Sequence, residues 1–222
     1  MTVALIGGAD FVESSTIGAE LLELSGASSV LVLPIASAFE HPDRLVARAT
    51  AYLTPRGATV TTVPIMRRAD AMNADLVAQV AAARFVYLTD GSPMHLRSVV
   101  KDTPLWDALC RVEESGLVAA SGAAAMLVTD PMLDVRGGAF TLGLGMVSPL
   151  AVLPAHETWS PERSRRNREL APAHVPVVSL DTDAAIVNDA AAGGRGVWRT
   201  LGSGQVTVHI DGAASSLAAL PG

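Results

Sequence analysis

The feature that most constrains this chain is the alternation of short apolar runs with longer amphipathic stretches between residues 2 and 120. Residues 2–6, 29–34, 59–63, 85–89 and 117–120 are rich in Val, Ile and Leu, which is typical of strands buried on both faces. Residues 17–24, 41–53 and 71–83 have apolar side chains at helical spacing. This βαβαβ rhythm predicts an α/β fold in which helices cover both faces of a mostly parallel central sheet.

The pattern changes after residue 121. Residues 122–128 predict a short, alanine-rich helix, and residues 160–170, with their four arginines, predict a solvated one. Residues 177–189 and 196–210 are expected to form short strands that complete the sheet. Because there is neither an internal repeat nor a linker, we predict a single domain over residues 1–222.

Composition excludes several classes of protein. Half of the 222 residues are hydrophobic and 17% are charged, which is typical of a globular chain rather than a disordered one. No run approaches the roughly 18 apolar residues of a membrane span, and a net charge of −6 without a basic stripe argues against nucleic acid. With Cys110 as the single cysteine and no export signal, we expect a cytoplasmic protein. The high apolar content also leads us to expect a homodimer.

Four predicted strands end in polar or glycine-rich sequence, where parallel α/β sheets bind their ligands. These ends are Gly7-Gly8-Ala9-Asp10, Pro34-Ile35-Ala36-Ser37, Asp90-Gly91-Ser92-Pro93 and Ala120-Ser121-Gly122. We therefore expect them to form one shared site. The Gly7-Gly8 pair lacks the third glycine of a dinucleotide-binding loop, so it is interpreted as a tight turn and no cofactor is expected.

Ser121 is the strongest candidate for a nucleophile. It lies between a predicted strand and a predicted helix, with Ala119 and Ala123 at the positions where a nucleophile elbow needs small residues. The backbone amide of Gly122 would then face the oxyanion. The alternative is that Ser121 only caps the helix.

His156 is the best placed of five histidines to act as a base, because it follows the apolar run 151–155 and should emerge at a sheet edge. Asp134, Glu157 and Asp183 are the candidates for the acid that orients it, and the sequence does not choose among them. Histidines and carboxylates do not fall at ligand spacing, so no metal site is expected. Cys110 is interpreted as a packing residue in a helix.

Several of these motifs, in this order, resemble the peptidase S51 group, which includes cyanophycinase and aspartyl dipeptidase. The resemblance spans nearly the whole chain and implies the class I glutamine amidotransferase-like fold, a flavodoxin-like three-layer sandwich. It rests on segments 5–8, 33–37, 87–92, 119–126, 153–156, 181–187 and 202–208.

The resemblance also implies site residues. It makes Ser121 the nucleophile, His156 the base and Asp134 the acid, with the amides of Gly91 and Gly122 as the oxyanion hole. The expected substrate is a small peptide or amide that contains aspartate. The residues expected to bind it are Asp90 and Ser92 in the turn after the fourth strand, and Arg163 and Arg166, or Arg165, in the arginine-rich helix.

The chain departs from the family pattern at the elbow and in the preceding turn. The family elbow has the order Gly-Thr-Ser-Ala-Gly-Ala, and a match without a gap puts Ala120 at the nucleophile position instead of Ser121. The family Gly-Gly turn is Asp90-Gly91 here, and Pro93 replaces a glutamine. Two functions are therefore expected: a serine-type hydrolase, or a catalytically degenerate binding or regulatory protein on the same fold.

Overall fold

A computed structural model describes residues 2–136, 138–189 and 196–222 of the chain. Its centre is a seven-stranded sheet with the strand order β11-β10-β1-β5-β4-β2-β3. The strands of this sheet are β1 (Thr2–Ile6), β2 (Ser29–Leu33), β3 (Thr59–Thr62), β4 (Phe85–Leu88), β5 (Leu117–Ser121), β10 (Ala184–Asp189) and β11 (Val197–Gly202). The strands β1 to β5 are parallel, whereas β10 and β11 extend the sheet in antiparallel register.

Helices cover both faces of this sheet. They are α1 (Ile17–Ser25), α2 (Pro42–Leu53), α3 (Arg68–Ala71), α4 (Ala74–Ala81), α5 (Pro93–Val100), α6 (Pro104–Ser115), α7 (Ala123–Val128) and α8 (Pro161–Glu169). Buried side chains of α1 and α2 pack on one face, and those of α3 to α7 pack on the other. Because neighbouring residues of a strand point to opposite faces, Leu5 of β1 joins one core and Ile6 joins the other.

A second sheet packs beside the first, with the order β13-β12-β9-β8. Its strands are β8 (Ala151–Leu153), β9 (Val177–Leu180), β12 (Val206–Ile210) and β13 (Ala213–Ser215), and a separate hairpin pairs β6 (Met132–Leu133) with β7 (Phe140–Thr141). The side chains of β8 and β9 contact those of α7, whose six residues are all buried. The small alanines of α7 allow this close approach.

The predicted fold class is confirmed: the chain forms a mostly parallel central sheet between two layers of helices. The five N-terminal strands lie where the apolar runs predicted them. The expectation that the C-terminal strands complete this sheet was wrong for β9 and β12, which pair with each other in the second sheet. Among the described residues, no helix is long and apolar enough to cross a membrane.

Candidate functional site

The strand-to-helix turn between β5 and α7 is formed by Gly122, and not by Ser121 or Ala120. Ser121 is the last residue of β5 and pairs with Ile6 of β1. Gly122 follows with φ +53° and ψ −115°. This conformation is strained, and therefore unfavourable, for any residue that has a side chain. Since an elbow nucleophile stands on this strained position, the elbow of this chain carries no side chain.

Ser121 lies beneath the turn and is fully buried. Its hydroxyl is close enough to the Asp10 carboxyl and the Tyr87 phenol to influence the pKa of both, yet among the described atoms its Oγ has no hydrogen-bond partner of good geometry. Asp10 accepts hydrogen bonds from the Tyr87 hydroxyl at 3.0 Å and from the amide of Asp90 at 2.9 Å. Burial, more than any other influence, raises the pKa of Asp10 above its usual range.

The amide expected from Gly122 in the oxyanion hole is already used, which corrects that prediction. The N–H of Gly122 donates to the carbonyl of Ile6 at 2.9 Å and so continues the ladder between β5 and β1. The next amide, that of Ala123, points elsewhere. Together with the amide of Gly91 it donates to Asp90 Oδ1, each at 2.7 Å. The two amides that converge on one oxygen are therefore those of Gly91 and Ala123, one residue later than predicted.

The carboxyl group of Asp90 occupies the place that a side chain at position 122 would need. A Cβ built on Gly122 would lie 2.1 Å from Asp90 Cγ and 2.2 Å from its Oδ1. These separations are far below van der Waals contact. Asp90 thus fills the turn and holds both amides at the same time.

His156 lies at the same edge of the sheet, just after β8. The preceding residue, Ala155, donates its amide to the carbonyl of Gly7 at 3.0 Å, and Gly7 follows the strand that pairs with Ser121. Burial lowers the pKa of His156, and the nearby Arg168 guanidinium lowers it further. Its Nε2 is buried and has no hydrogen-bond partner among the residues described, so it forms no hydrogen bond with Ser121.

None of the three candidate acids forms a described hydrogen bond with His156. Asp134 binds the guanidinium of Arg136, with distances of 3.0 and 3.1 Å, and this pairing lowers the pKa of Asp134. Glu157 accepts from the amide and hydroxyl of Thr182. Asp183 accepts from Ser203. Each carboxylate is thus already used in a local contact.

Asp90 also lines a cavity of about 620 Å³ at the carboxyl edge of the sheet. Three of the four predicted strand ends contribute to it, those after β1, β2 and β4, together with the first turns of α2. Its lining residues are Ala9, Asp10, Val12, Ser37, Glu40, His41, Arg44, Leu45, Arg48, Asp90 and Gly91. We call this space the Asp90 cavity.

Arg44 and Arg48 were not among the residues predicted for the site. Both stand on α2, which begins shortly after β2 ends, so their spacing of one helical turn beside a strand end was an available signal.

The other predicted substrate-binding residues lie elsewhere or have another task. The hydroxyl of Ser92 accepts a hydrogen bond from the amide of His95 and so caps α5. Arg163 and Arg166 line a second cavity of about 360 Å³ that shares no lining residue with the Asp90 cavity. Arg163 stacks over the ring of Trp159 at 3.7 Å, and Arg165 pairs with Glu169 at 2.9 Å. Among the residues described, no cluster of three or more His, Cys, Asp or Glu could hold a metal ion.

The fold, in contrast to the sequence, has recognisable relatives. No family model matches the chain, and no curated protein matches it in sequence. A crystal structure of a peptidase from an acI-B1 Actinobacterium is similar with a TM-score of 0.77 and 22% identity, over 94% of this chain and 89% of that one.

A second structure, of a candidate Peptidase E protein from Listeria monocytogenes EGD-e, has a TM-score of 0.64 and 16% identity, over 91% of this chain and 98% of that one. The chain therefore has a peptidase E-like fold, in agreement with its resemblance to the peptidase S51 group.

Proposed function

We propose that this chain is a binding protein on a peptidase fold, which holds a small molecule in the Asp90 cavity and does not hydrolyse it through Ser121. The observation that supports this most is the glycine at the elbow. Gly122 takes the strained turn and offers no nucleophile, and the carboxyl group of Asp90 lies where the nucleophile would be. The cavity beside Asp90 is open and can therefore admit a ligand.

Two further contacts argue against hydrolysis at this turn. A serine nucleophile must reach a carbonyl carbon, whereas Ser121 has no exposed surface. The developing oxyanion needs free amides, whereas those of Gly91 and Ala123 already hold a carboxylate. A negative charge in that place also opposes a second one, so Asp90 would disfavour a tetrahedral intermediate.

Serine-type peptidase activity is the second candidate. It is supported by the peptidase structures that share the fold, and by the buried Ser121 Oγ and His156 Nε2, which lack partners among the described atoms. In that function Ser121 attacks a peptide or amide carbonyl, His156 takes its proton, and the substrate is a small peptide that contains aspartate. It requires a rearrangement that brings Ser121 out of the sheet and moves Asp90 off the amides.

Hydrolysis of dipeptides with N-terminal aspartate, followed by release of free amino acid, separates the two functions. The binding function predicts no turnover above background by the wild-type protein, and no change in Ser121→Ala or His156→Ala. The peptidase function predicts turnover that falls by about 10⁴ in either variant. Ser98→Ala, at an exposed serine of α5, is the matched control. Turnover that depends on Ser121 would overturn our proposal.

We also propose a cytoplasmic location, for which the support is the lone Cys110.

A further inference from the structure

We propose that the Asp90 cavity recognises a small zwitterion, with the cationic group on Asp90 Oδ2 and the anionic group on Arg44 and Arg48. This inference rests on the proposed binding function and adds the chemistry of the ligand. It names an ammonium or guanidinium group at one end of the ligand and a carboxylate at the other.

Asp90 is a fixed acceptor with one oxygen to spare. Its Oδ1 accepts two amide hydrogen bonds, whereas its Oδ2 accepts none from the described residues. Two hydrogen bonds also hold the backbone of Asp90: its amide donates to the Asp10 carboxyl group, and its carbonyl accepts from the Ser37 hydroxyl. A carboxylate held in this way loses little conformational entropy on binding a cation, which favours affinity.

Arg44 and Arg48 also line the cavity. They stand four residues apart on α2 and therefore face the same way. Other arginines, such as Arg56 and Arg165, form ion pairs, but within the described ranges no carboxylate lies within 4.0 Å of either Arg44 or Arg48. Two unpaired guanidinium groups on one wall fit a carboxylate, which each can bind through two parallel hydrogen bonds.

The size and the charge of the cavity agree with such a ligand. A volume of about 620 Å³ is ample for an amino acid or a short peptide, since ligand cavities commonly measure roughly 300–1,000 Å³. Glu40 adds a third carboxyl group to those of Asp10 and Asp90 in the lining, so acidic and basic groups are both present. A ligand with only one sign of charge would leave either Asp90 or the two arginines without a counter-charge.

Glycine peptides test this inference, because blocking either end removes one charge. The C-terminal amide keeps the size of the peptide, and comparing diglycine with triglycine controls for the bulk that acetylation adds. Isothermal titration calorimetry would compare diglycine and triglycine with their N-acetylated forms, which keep the carboxylate, and their C-terminal amides, which keep the ammonium. We expect at least one free peptide to bind about tenfold more tightly than both of its blocked forms. Equal affinity for a free and a blocked peptide, or no binding of any of them, would overturn the proposal that the cavity recognises a zwitterion.

Substitutions assign each charge to its side chain. Asp90→Asn should lower the affinity for the free peptide about tenfold and leave the affinity for the acetylated peptide unchanged. Arg44→Gln or Arg48→Gln should lower the affinity for the free peptide and for the acetylated peptide. Arg111→Gln, at an exposed arginine of α6, is the control and should change nothing. Thermal unfolding of each variant checks that it is folded. If binding depends on both charges but the peptide is hydrolysed, the proposed binding function is contradicted and the recognition of a zwitterion is supported. Binding of the acetylated peptide alone would contradict the recognition while the binding function stood.

Discussion

The contact between Gly122 and Asp90 can be tested by a double-mutant cycle on stability. Gly122→Ala places a Cβ 2.1 Å from Asp90 Cγ, so the carboxyl group has to leave the two amides. Asp90→Gly removes that obstacle. Because the obstacle is absent when both substitutions are present, the two changes in the free energy of unfolding should not add.

The expected magnitudes follow from the contacts. A left-handed φ costs an alanine about 1–3 kcal/mol. Losing two hydrogen bonds from buried or half-buried amides to a carboxylate adds about 2–4 kcal/mol. Gly122→Ala alone should therefore destabilise the chain by about 3–7 kcal/mol. When Asp90→Gly is already present, only the backbone cost of about 1–3 kcal/mol should remain. The coupling between the two positions is expected to be about 2–4 kcal/mol.

Urea unfolding followed by circular dichroism measures all four corners of the cycle. Gly26→Ala is the control for a positive φ without the obstruction. Gly26 has φ +58°, with ψ +15° instead of the −115° of Gly122, and no heavy atom lies within 4 Å of an added Cβ. It reports the cost of a positive φ alone, about 1–2 kcal/mol. If the two substitutions add to within about 0.5 kcal/mol, the carboxyl group does not occupy the turn and the reasoning fails.

Three other predictions concern titratable groups. Because burial raises the pKa of Asp10, the folded chain keeps this proton to a higher pH than the unfolded chain does. The free energy of unfolding of the wild type should therefore fall relative to that of Asp10→Asn between pH 4 and pH 7, as measured by urea unfolding at both pH values. His156, its pKa lowered by burial and by Arg168, should titrate below 6.5 by NMR, and the folded state should lose stability as pH falls through that range. Asp134→Asn should leave the His156 midpoint unchanged, and a shifted midpoint would instead place Asp134 beside the imidazole. Burial raises the pKa of Cys110 to about 11, so its reaction with a disulfide reagent at pH 7 should be far slower than that of a free thiol.

The sequence predicted the central sheet well because complete burial leaves a clear signal. All four residues of β4 are buried and apolar, so the short run itself marks the strand. The second sheet was harder to foresee. The alternation in β12 indicates a strand with one buried face, but it does not say which strand is its partner, since pairing is decided by tertiary contacts.

The candidate site was predicted in part. The strand ends that line the cavity could be identified from the order of elements alone, because parallel strands end at one edge. The turn could not be assigned to one residue. Ser121 and Gly122 are neighbours, and which of them ends the strand depends on the register of β5 against β1. The position of the Asp90 carboxyl group depends on a side-chain rotamer, for which the sequence carries no pattern.

The overlap between Asp90 and position 122 restricts the order in which this chain could acquire a serine at its turn. With Asp90 in place, Gly122→Ser meets the same obstruction as any other added side chain and should destabilise the fold, because the Asp90 carboxyl group has to leave the turn. After Asp90 is lost, the same substitution meets only the backbone cost of the turn. The two positions are thus expected to be epistatic, and a stepwise mutational route towards a side-chain nucleophile should cost less stability when position 90 changes before position 122.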